Sequence, residues 1–275
     1  MTKLITVEEV LALDKAMPDH VLSYGTHPEQ FAHLYLPMER GPYPTVILLH
    51  GGCWRSSVSL DYFGQAARNL SKLGLAVWNL EYRRIENGGG WPTTFLDVAS
   101  GTDYLQNIAS IYNLDLSRTL ALGHSAGGHL AHWLAARKNL PPTSELYQPN
   151  PLGFLGFISL AGIPDLELAL RDNICSNQAP KELIGGTPEE FPERYAQASP
   201  ARLAPIGGQQ IFIQGTQDDT VQLIHIEDYV KKAKARGEDI RLITLQNTGH
   251  FELVVSTTPQ WQIVEEKVMQ LFGMG

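Results

Sequence analysis

Short apolar runs rich in β-branched residues recur along the chain, separated by longer stretches with helical spacing. Most of these runs are continuous rather than alternating, which is typical of strands covered on both faces of a sheet. The predicted strands are 31–36, 44–50, 75–82, 118–123, 154–160, 210–215 and 240–246. The helices predicted between them are 59–73, 96–112, 125–137, 221–236 and about 260–272. This alternation favours an α/β fold with a parallel, doubly wound sheet.

One segment, residues 161–205, interrupts the alternation. It contains several prolines and polar clusters, and its helical pieces are short, at 165–171, 179–184 and 188–195. Because the segment lies between two predicted strands, we interpret it as a cap-like insertion in a single domain that spans 1–275. Long excursions of this kind in compact folds often cover a site.

Composition and charge narrow the class of protein. The chain has 275 residues, 43% of them hydrophobic and 18% charged, as expected of a globular domain with a sizeable core. A net charge of -8 argues against a nucleic-acid partner. We see no export signal and no membrane-spanning run, and therefore expect a cytoplasmic protein without membrane contacts. Cys53 and Cys175 do not imply a disulfide framework. A homodimer is the oligomeric state that we consider for this chain.

The turn GHSAG at 123–127 lies between an apolar strand and the start of a helix. In this context a G-x-S-x-G pattern places the serine on a strained elbow, with its Oγ exposed above the sheet. The following helix directs its N-terminus towards a reacting carbonyl group. Ser125 is therefore the candidate nucleophile, and a helix N-cap is the alternative role.

A second glycine-rich turn, HGGCW at 50–54, follows an apolar strand. Acyl transfer passes through a tetrahedral oxyanion, which needs preorganised backbone N–H donors, and glycines let the backbone turn such groups inward. We assign Gly52 and Cys53 as donors, together with the N–H of Ala126 directly after the serine. A plain glycine turn is the alternative interpretation.

Two further polar clusters follow late strands. GTQDDTV at 215–221 contains two aspartates, and its spacing favours Asp218 as the acid of a triad and Asp219 as a helix N-cap, with the reverse assignment still open. The last predicted strand leads to His250. This histidine would take the Ser125 proton and return it to the leaving group, while the aspartate orients its ring. Serine, aspartate and histidine in this order, each after a strand, predict a hydrolase.

Aromatic residues and further histidines lie near these motifs. Trp54, Trp91 and Phe251 are candidates for lining an apolar substrate pocket, and packing in the core is the alternative. His129 and His132 are one helical turn apart, as zinc ligands often are. No third ligand joins them at a suitable spacing, so we expect no metal and no cofactor.

The motifs together resemble a known family. The matching segments are HGGCW at 50–54, EYR at 81–83, GHSAGGHL at 123–130, GTQDDTV at 215–221 and HFELV at 250–254. They resemble the esterase branch of the α/β-hydrolases that includes kynurenine formamidases (arylformamidases) and small carboxylesterases. The resemblance implies an α/β-hydrolase fold with an eight-stranded, mostly parallel sheet and helices on both faces. It also implies a triad of Ser125, Asp218 and His250.

Three positions depart from the kynurenine formamidase pattern. The pattern of that group has alanine, aspartate and glutamate at the positions where this chain has Gly128, Gly249 and Val255. These positions affect the expected substrate and leave the triad unchanged. We therefore expect a serine hydrolase that cleaves small carboxylic esters or aryl formamides through an acyl-enzyme. The alternatives are a serine peptidase or thioesterase on the same triad, and a non-catalytic binding protein that keeps the fold.

Overall fold

A computed structural model describes residues 3–175 and 178–274. The strands are β1 (His20–Ser23), β2 (Phe31–Tyr35), β3 (Tyr43–Leu49), β4 (Ala76–Leu80), β5 (Leu114–His124), β6 (Gly156–Leu160), β7 (Gln209–Gly215) and β8 (Ile240–Leu245). They form one eight-stranded sheet in the order β1-β2-β4-β3-β5-β6-β7-β8. The β1–β2 and β2–β4 pairs are antiparallel and all other pairs are parallel. The predicted α/β-hydrolase sheet is confirmed.

The helices connect these strands across both faces of the sheet. They are α1 (Val7–Leu11), α2 (Gly64–Lys72), α3 (Thr93–Asp103), α4 (Leu105–Tyr112), α5 (Ala126–Ala136), α6 (Leu166–Arg171), α7 (Ala179–Ile184), α8 (Pro192–Ala198), α9 (Pro200–Leu203), α10 (Leu223–Ala235) and α11 (Pro259–Leu271). Short 3-10 helices cover Leu60–Phe63, Ile85–Asn87 and Arg137–Asn139. The predicted helix 59–73 thus begins as a 3-10 turn, and the predicted helix 96–112 is two helices. None of the helices in the described ranges is long and apolar enough to cross a bilayer.

Two apolar cores lie on opposite faces of the sheet. Side chains alternate along β3, so Val46 and Leu48 belong to one core and Ile47 and Leu49 to the other. The helices α2 and α11 cover the first core, and α3, α5 and α10 cover the second. Burial on both faces explains why the central strands read as continuous apolar runs.

The insertion between β6 and β7 consists of α6 to α9 and packs on α5. The side chain of Trp133 in α5 donates a hydrogen bond to the carbonyl of Gln197, over 2.9 Å. Leu166, Leu183 and Tyr195 of the insertion are fully buried in the same core as α3 and α5. Since its apolar side chains join this core, the insertion lies against the domain rather than apart from it.

Candidate active site

The tight turn around Ser125 depends on the glycines on either side of it. Ser125 lies between β5 and α5 with φ 54° and ψ -121°, a conformation that costs energy for a residue with a side chain. A Cβ atom at Gly123 would lie 2.0 Å from the carbonyl oxygen of Gly127, and one at Gly127 would lie 1.9 Å from that of Leu49. The N–H of Ser125 donates to the carbonyl of Leu160 at the end of β6, over 2.8 Å. The elbow therefore holds Ser125 above the carboxyl ends of β3, β5 and β6.

The turn 50–54 approaches this serine from the end of β3. A Cβ atom at Gly51 would lie 3.2 Å from Cβ of Ser125, so the two segments touch. Gly52 and Cys53 have positive φ, 101° and 52°. In the part of the chain that the structure describes, the N–H groups of Gly52, Cys53 and Ala126 have no hydrogen-bond partner. The three predicted donors therefore stay candidates for binding a substrate oxygen.

A buried carboxylate, Glu81, holds the turn 50–54 from beneath. Its Oε1 lies 2.8 Å from His50 Nε2 and 2.8 Å from Arg84 Nη1, and its Oε2 accepts from the N–H of Leu60 over 3.0 Å. The hydroxyl of Tyr82 donates to the carbonyl of His50 over 2.7 Å. Burial works to raise the pKa of Glu81, but His50 and Arg84 outweigh it and hold that pKa below its ordinary value. The motif reasoning missed the role of Glu81, because the EYR segment carries no recognisable chemistry by itself.

The His250 ring is held by Asp218. Its Nδ1 donates to Asp218 Oδ2 over 2.7 Å, and both side chains are buried. Asp218 Oδ2 also accepts from Gln214 Nε2, and its Oδ1 accepts from the N–H groups of Thr220 and Val221. These bonds fix the position of the carboxylate. Because Asp218 binds the ring of His250 at Nδ1, the other ring nitrogen, Nε2, stays free for another partner.

The structure distinguishes between the two aspartates that the sequence left open. Asp219 is exposed, and the hydroxyl of Thr220 lies 3.4 Å from its carboxylate. The expectation that Asp219 caps the helix is wrong, because α10 begins later and its N-cap is Gln222. Asp218 is therefore the aspartate that the fold brings to His250.

Ser125, His124 and His250 line one pocket with a volume of about 270 Å³. In the described part of the chain, Ser125 Oγ and His250 Nε2 are not hydrogen-bonded to each other. Catalytic hydrogen bonds are often long in an unliganded enzyme and shorten when substrate binds. The wall of the pocket also includes Val7, Gly52, Cys53, Arg55, Ser57, Val58, Tyr62, Cys175, Thr220 and Phe251.

Two of the three aromatic residues predicted to line a pocket lie elsewhere. Phe251 is in the wall, but Trp54 and Trp91 are not among the residues that line this pocket. Trp54 has φ 57° and is fully buried beneath the turn 50–54, with its ring 5.3 Å from that of His129. Trp91 donates from its indole to Glu145 over 2.8 Å. Closeness to a motif in sequence did not decide which way these side chains point.

The two cysteines form a disulfide, which the sequence analysis did not expect. Cys53 and Cys175 are bonded with their Cα atoms 5.5 Å apart, across a sequence separation of 122 residues. The bond joins the turn 50–54 to the insertion, and both cysteines line the pocket. Disulfides persist mainly in oxidising compartments. The expected cytoplasmic location stays a prediction.

The histidine pair of α5 lies in the core. His129 Nε2 donates to the carbonyl of Ala198, and the hydroxyl of Tyr229 lies 3.0 Å from His132 Nε2. Among the described residues there is no group of three His, Cys, Asp or Glu side chains that could hold a metal ion.

Comparisons with known proteins find similarity to esterases. The family model BD-FAE matches residues 33–232. A probable isoprenylcysteine alpha-carbonyl methylesterase of Arabidopsis thaliana is 31% identical over 110 residues, which make up 39% of this chain and 22% of that protein. Esterase EstD of Thermotoga maritima is 23% identical over 235 residues, 78% of this chain and 56% of EstD. The chain thus spans little more than half the length of EstD, and less of the methylesterase.

A solved structure extends the similarity over nearly the whole fold. Esterase 2 of Thermogutta terrifontis, phosphonylated by sarin, superposes with a TM-score of 0.77 at 19% identity, covering 94% of this chain and 96% of that one. At this identity the likeness concerns the fold. From the match over residues 33–232, we conclude that the chain belongs to the BD-FAE family and has an α/β-hydrolase fold.

Proposed function

We propose that this chain is a serine hydrolase that cleaves small carboxylic esters through an acyl-enzyme. The observation that carries the proposal is the buried 2.7 Å hydrogen bond between His250 and Asp218, beside a pocket that also contains Ser125. A strained serine, a histidine oriented by a carboxylate and free N–H donors are the parts that acyl transfer requires.

The proposed reaction has two steps. Ser125 Oγ attacks the ester carbonyl while His250 Nε2 takes its proton, and the N–H groups of Gly52, Cys53 and Ala126 bind the resulting oxyanion. Collapse of the intermediate releases the alcohol, which receives the proton from His250. Water then attacks the acyl-enzyme, again losing a proton to His250, and the carboxylic acid leaves as Ser125 recovers its proton.

The pocket favours a small substrate. A volume of about 270 Å³ lies just below the usual range of ligand sites, about 300–1,000 Å³, and Val58, Phe251 and Val7 contribute apolar side chains to the wall. The curated relatives are named as a methylesterase and an esterase, which supports ester cleavage. The rings of Tyr62 and Phe251 in the wall also suit an aromatic group, so an aryl formamide is the second substrate class we propose.

A panel of acyl donors tests the proposal. Purified protein is assayed with p-nitrophenyl acetate, butyrate and octanoate, N-formylkynurenine, an acyl-CoA and a peptide, with Ser125→Ala as the matched control. We expect the short esters to be the best substrates and Ser125→Ala to be inactive. Preference for N-formylkynurenine would select the formamide alternative. Turnover of acyl-CoA or peptide alone would contradict the proposal, as would equal rates for the wild type and Ser125→Ala.

A further inference from the structure

Tyr62 and His124 form a hydrogen-bonded chain that ends on the backbone of His250. The Tyr62 hydroxyl lies 2.5 Å from His124 Nδ1, and His124 Nε2 lies 2.9 Å from the carbonyl oxygen of His250. The rings of His124 and His250 are 4.4 Å apart. We infer that Tyr62 and His124 are positioning residues that hold His250 in place for its proton transfers, an inference that rests on the proposed function.

The partners at the two ring nitrogens determine the tautomer of His124. A carbonyl oxygen can only accept a hydrogen bond, so Nε2 of His124 carries the hydrogen that reaches His250. In the neutral ring Nδ1 is then an acceptor, and the Tyr62 hydroxyl donates to it. Tyr62 therefore selects the form of His124 that can hold the carbonyl of His250.

Burial keeps this chain uncharged. His124 is fully buried, and burial together with the neighbouring His250 lowers the pKa of His124 well below its ordinary value. Burial likewise raises the pKa of Tyr62 well above its ordinary value. Because His124 is neutral, it adds no repelling charge next to the imidazolium that His250 becomes during the proposed reaction.

Tyr62 is itself anchored to the carboxylate that supports the turn 50–54. It belongs to the 3-10 helix Leu60–Phe63, whose first N–H donates to Glu81 Oε2 over 3.0 Å. Asn79 Nδ2 donates to the carbonyl of Leu60 over 2.8 Å. Glu81 also binds His50 over 2.8 Å. One buried carboxylate thus fixes both the turn with the oxyanion donors and the tyrosine that leads to the base.

His250 is consequently held at two points. Asp218 binds its ring at Nδ1, and His124 binds its backbone carbonyl. A ring bond alone leaves the ring free to move with its loop, whereas the second bond fixes the loop as well. Since a catalytic group must lie within fractions of an ångström of its productive position, the second bond should raise the rate of proton transfer.

Kinetics of three variants test the inference. Tyr62→Phe removes the hydroxyl, His124→Phe removes both ring nitrogens, and His124→Gln keeps an N–H where Nε2 stands. We expect kcat for a short ester to fall about tenfold in Tyr62→Phe and about 100-fold in His124→Phe, with KM within about twofold of the wild type. Part of the loss should be recovered in His124→Gln.

Tyr229→Phe is the matched control, because it removes a hydroxyl from another buried tyrosine–histidine pair, with His132. A general loss of core stability would lower Tm in both tyrosine variants and leave kcat unchanged. The inference is overturned if Tyr62→Phe loses no more kcat than Tyr229→Phe, or if the loss appears in KM alone.

A spectroscopic measurement separates this inference from the proposed function. In the Ser125→Ala variant labelled with ¹⁵N-histidine, we expect NMR to show His124 protonated at Nε2 and not at Nδ1. If the wild type hydrolyses esters but NMR of Ser125→Ala shows His124 protonated at Nδ1, the inference alone is overturned. A protein that hydrolyses no acyl donor while His124 is protonated at Nε2 would overturn the proposed function and support the hydrogen-bond chain.

Discussion

Buried histidines occur in two groups in this protein, and the candidate base in one group differs from both members of the other in what it can do. His50, His124 and His250 lie at the carboxyl ends of the strands, whereas His129 and His132 lie one turn apart on α5. All five side chains are buried and all are hydrogen-bonded. Burial and hydrogen bonding therefore do not distinguish a candidate base from a core residue.

The partners distinguish His250 from the two histidines of α5. His250 binds a carboxylate, which would stabilise the imidazolium formed in the proposed reaction. His129 binds a backbone carbonyl and His132 a tyrosine hydroxyl, so neither has a counter-charge. Burial lowers the pKa of His129 to about 4 and the pKa of His132 well below its ordinary value. A buried histidine is thus suited to proton transfer when a carboxylate and an accessible hydroxyl lie beside it.

The largest expected effect comes from exchanging one member of each group for glutamine. His250→Gln should lower kcat/KM for a short ester by at least about 10⁴-fold, because no base remains for Ser125. His132→Gln should leave kcat/KM within about twofold and lower Tm, because it disturbs only the packing beneath α5. Steady-state kinetics and thermal unfolding of both variants measure this. Similar losses of kcat/KM in the two would contradict the distinction.

Next in size is the effect of the carboxylate partner. Asp218→Asn should reduce kcat by about 10⁴-fold, since an amide no longer favours the required tautomer of His250 or stabilises its imidazolium. The adjacent Asp219→Asn is the matched control and should keep kcat within about twofold, because Asp219 is exposed. If Asp219→Asn were the more damaging change, the assignment of the acid would be wrong.

The smallest expected effect is on the pH dependence of the free energy of unfolding, and it comes from the histidines of α5. The unfolded chain binds a proton at His129 near the ordinary pKa of about 6.5, whereas the folded chain binds it only near a pKa of about 4. The free energy of unfolding should therefore decrease as the pH falls from about 6.5 to about 4, by roughly 3 kcal/mol from this group.

Urea unfolding between pH 4 and pH 7.5 measures that dependence. His129→Gln should show a flatter decrease than the wild type, because glutamine does not titrate. An unchanged slope in His129→Gln would show that the burial of His129 does not oppose its protonation.

Much of this architecture could be predicted, because the central strands are buried on both faces and therefore carry continuous apolar runs. The edge strand β1 (His20–Ser23) was missed for the opposite reason: three of its four residues are exposed and the fourth is only partly buried. The break between α3 and α4 at Tyr104 was also missed, since the helical spacing continues across it.

The residues of the candidate site also divide into those that the sequence indicated and those that only the structure revealed. Ser125, Asp218 and His250 occur in motifs whose spacing reflects the turns that they form, so sequence alone indicated them. Tyr62 and the pairing of Cys53 with Cys175 depend on contacts between distant segments, which no local pattern encodes. The directions of Trp54 and Trp91 likewise follow from the fold, and in Trp54 from a left-handed backbone.

The central claim is that Ser125 is a nucleophile activated by its surroundings. The most direct measurement is reaction of the folded protein with a fluorophosphonate probe, followed by intact-mass analysis and peptide mapping. We expect one probe per chain, attached to Ser125, and no labelling of Ser125→Ala. A folded wild-type protein that resists the probe, or that carries it on another residue, would contradict the account.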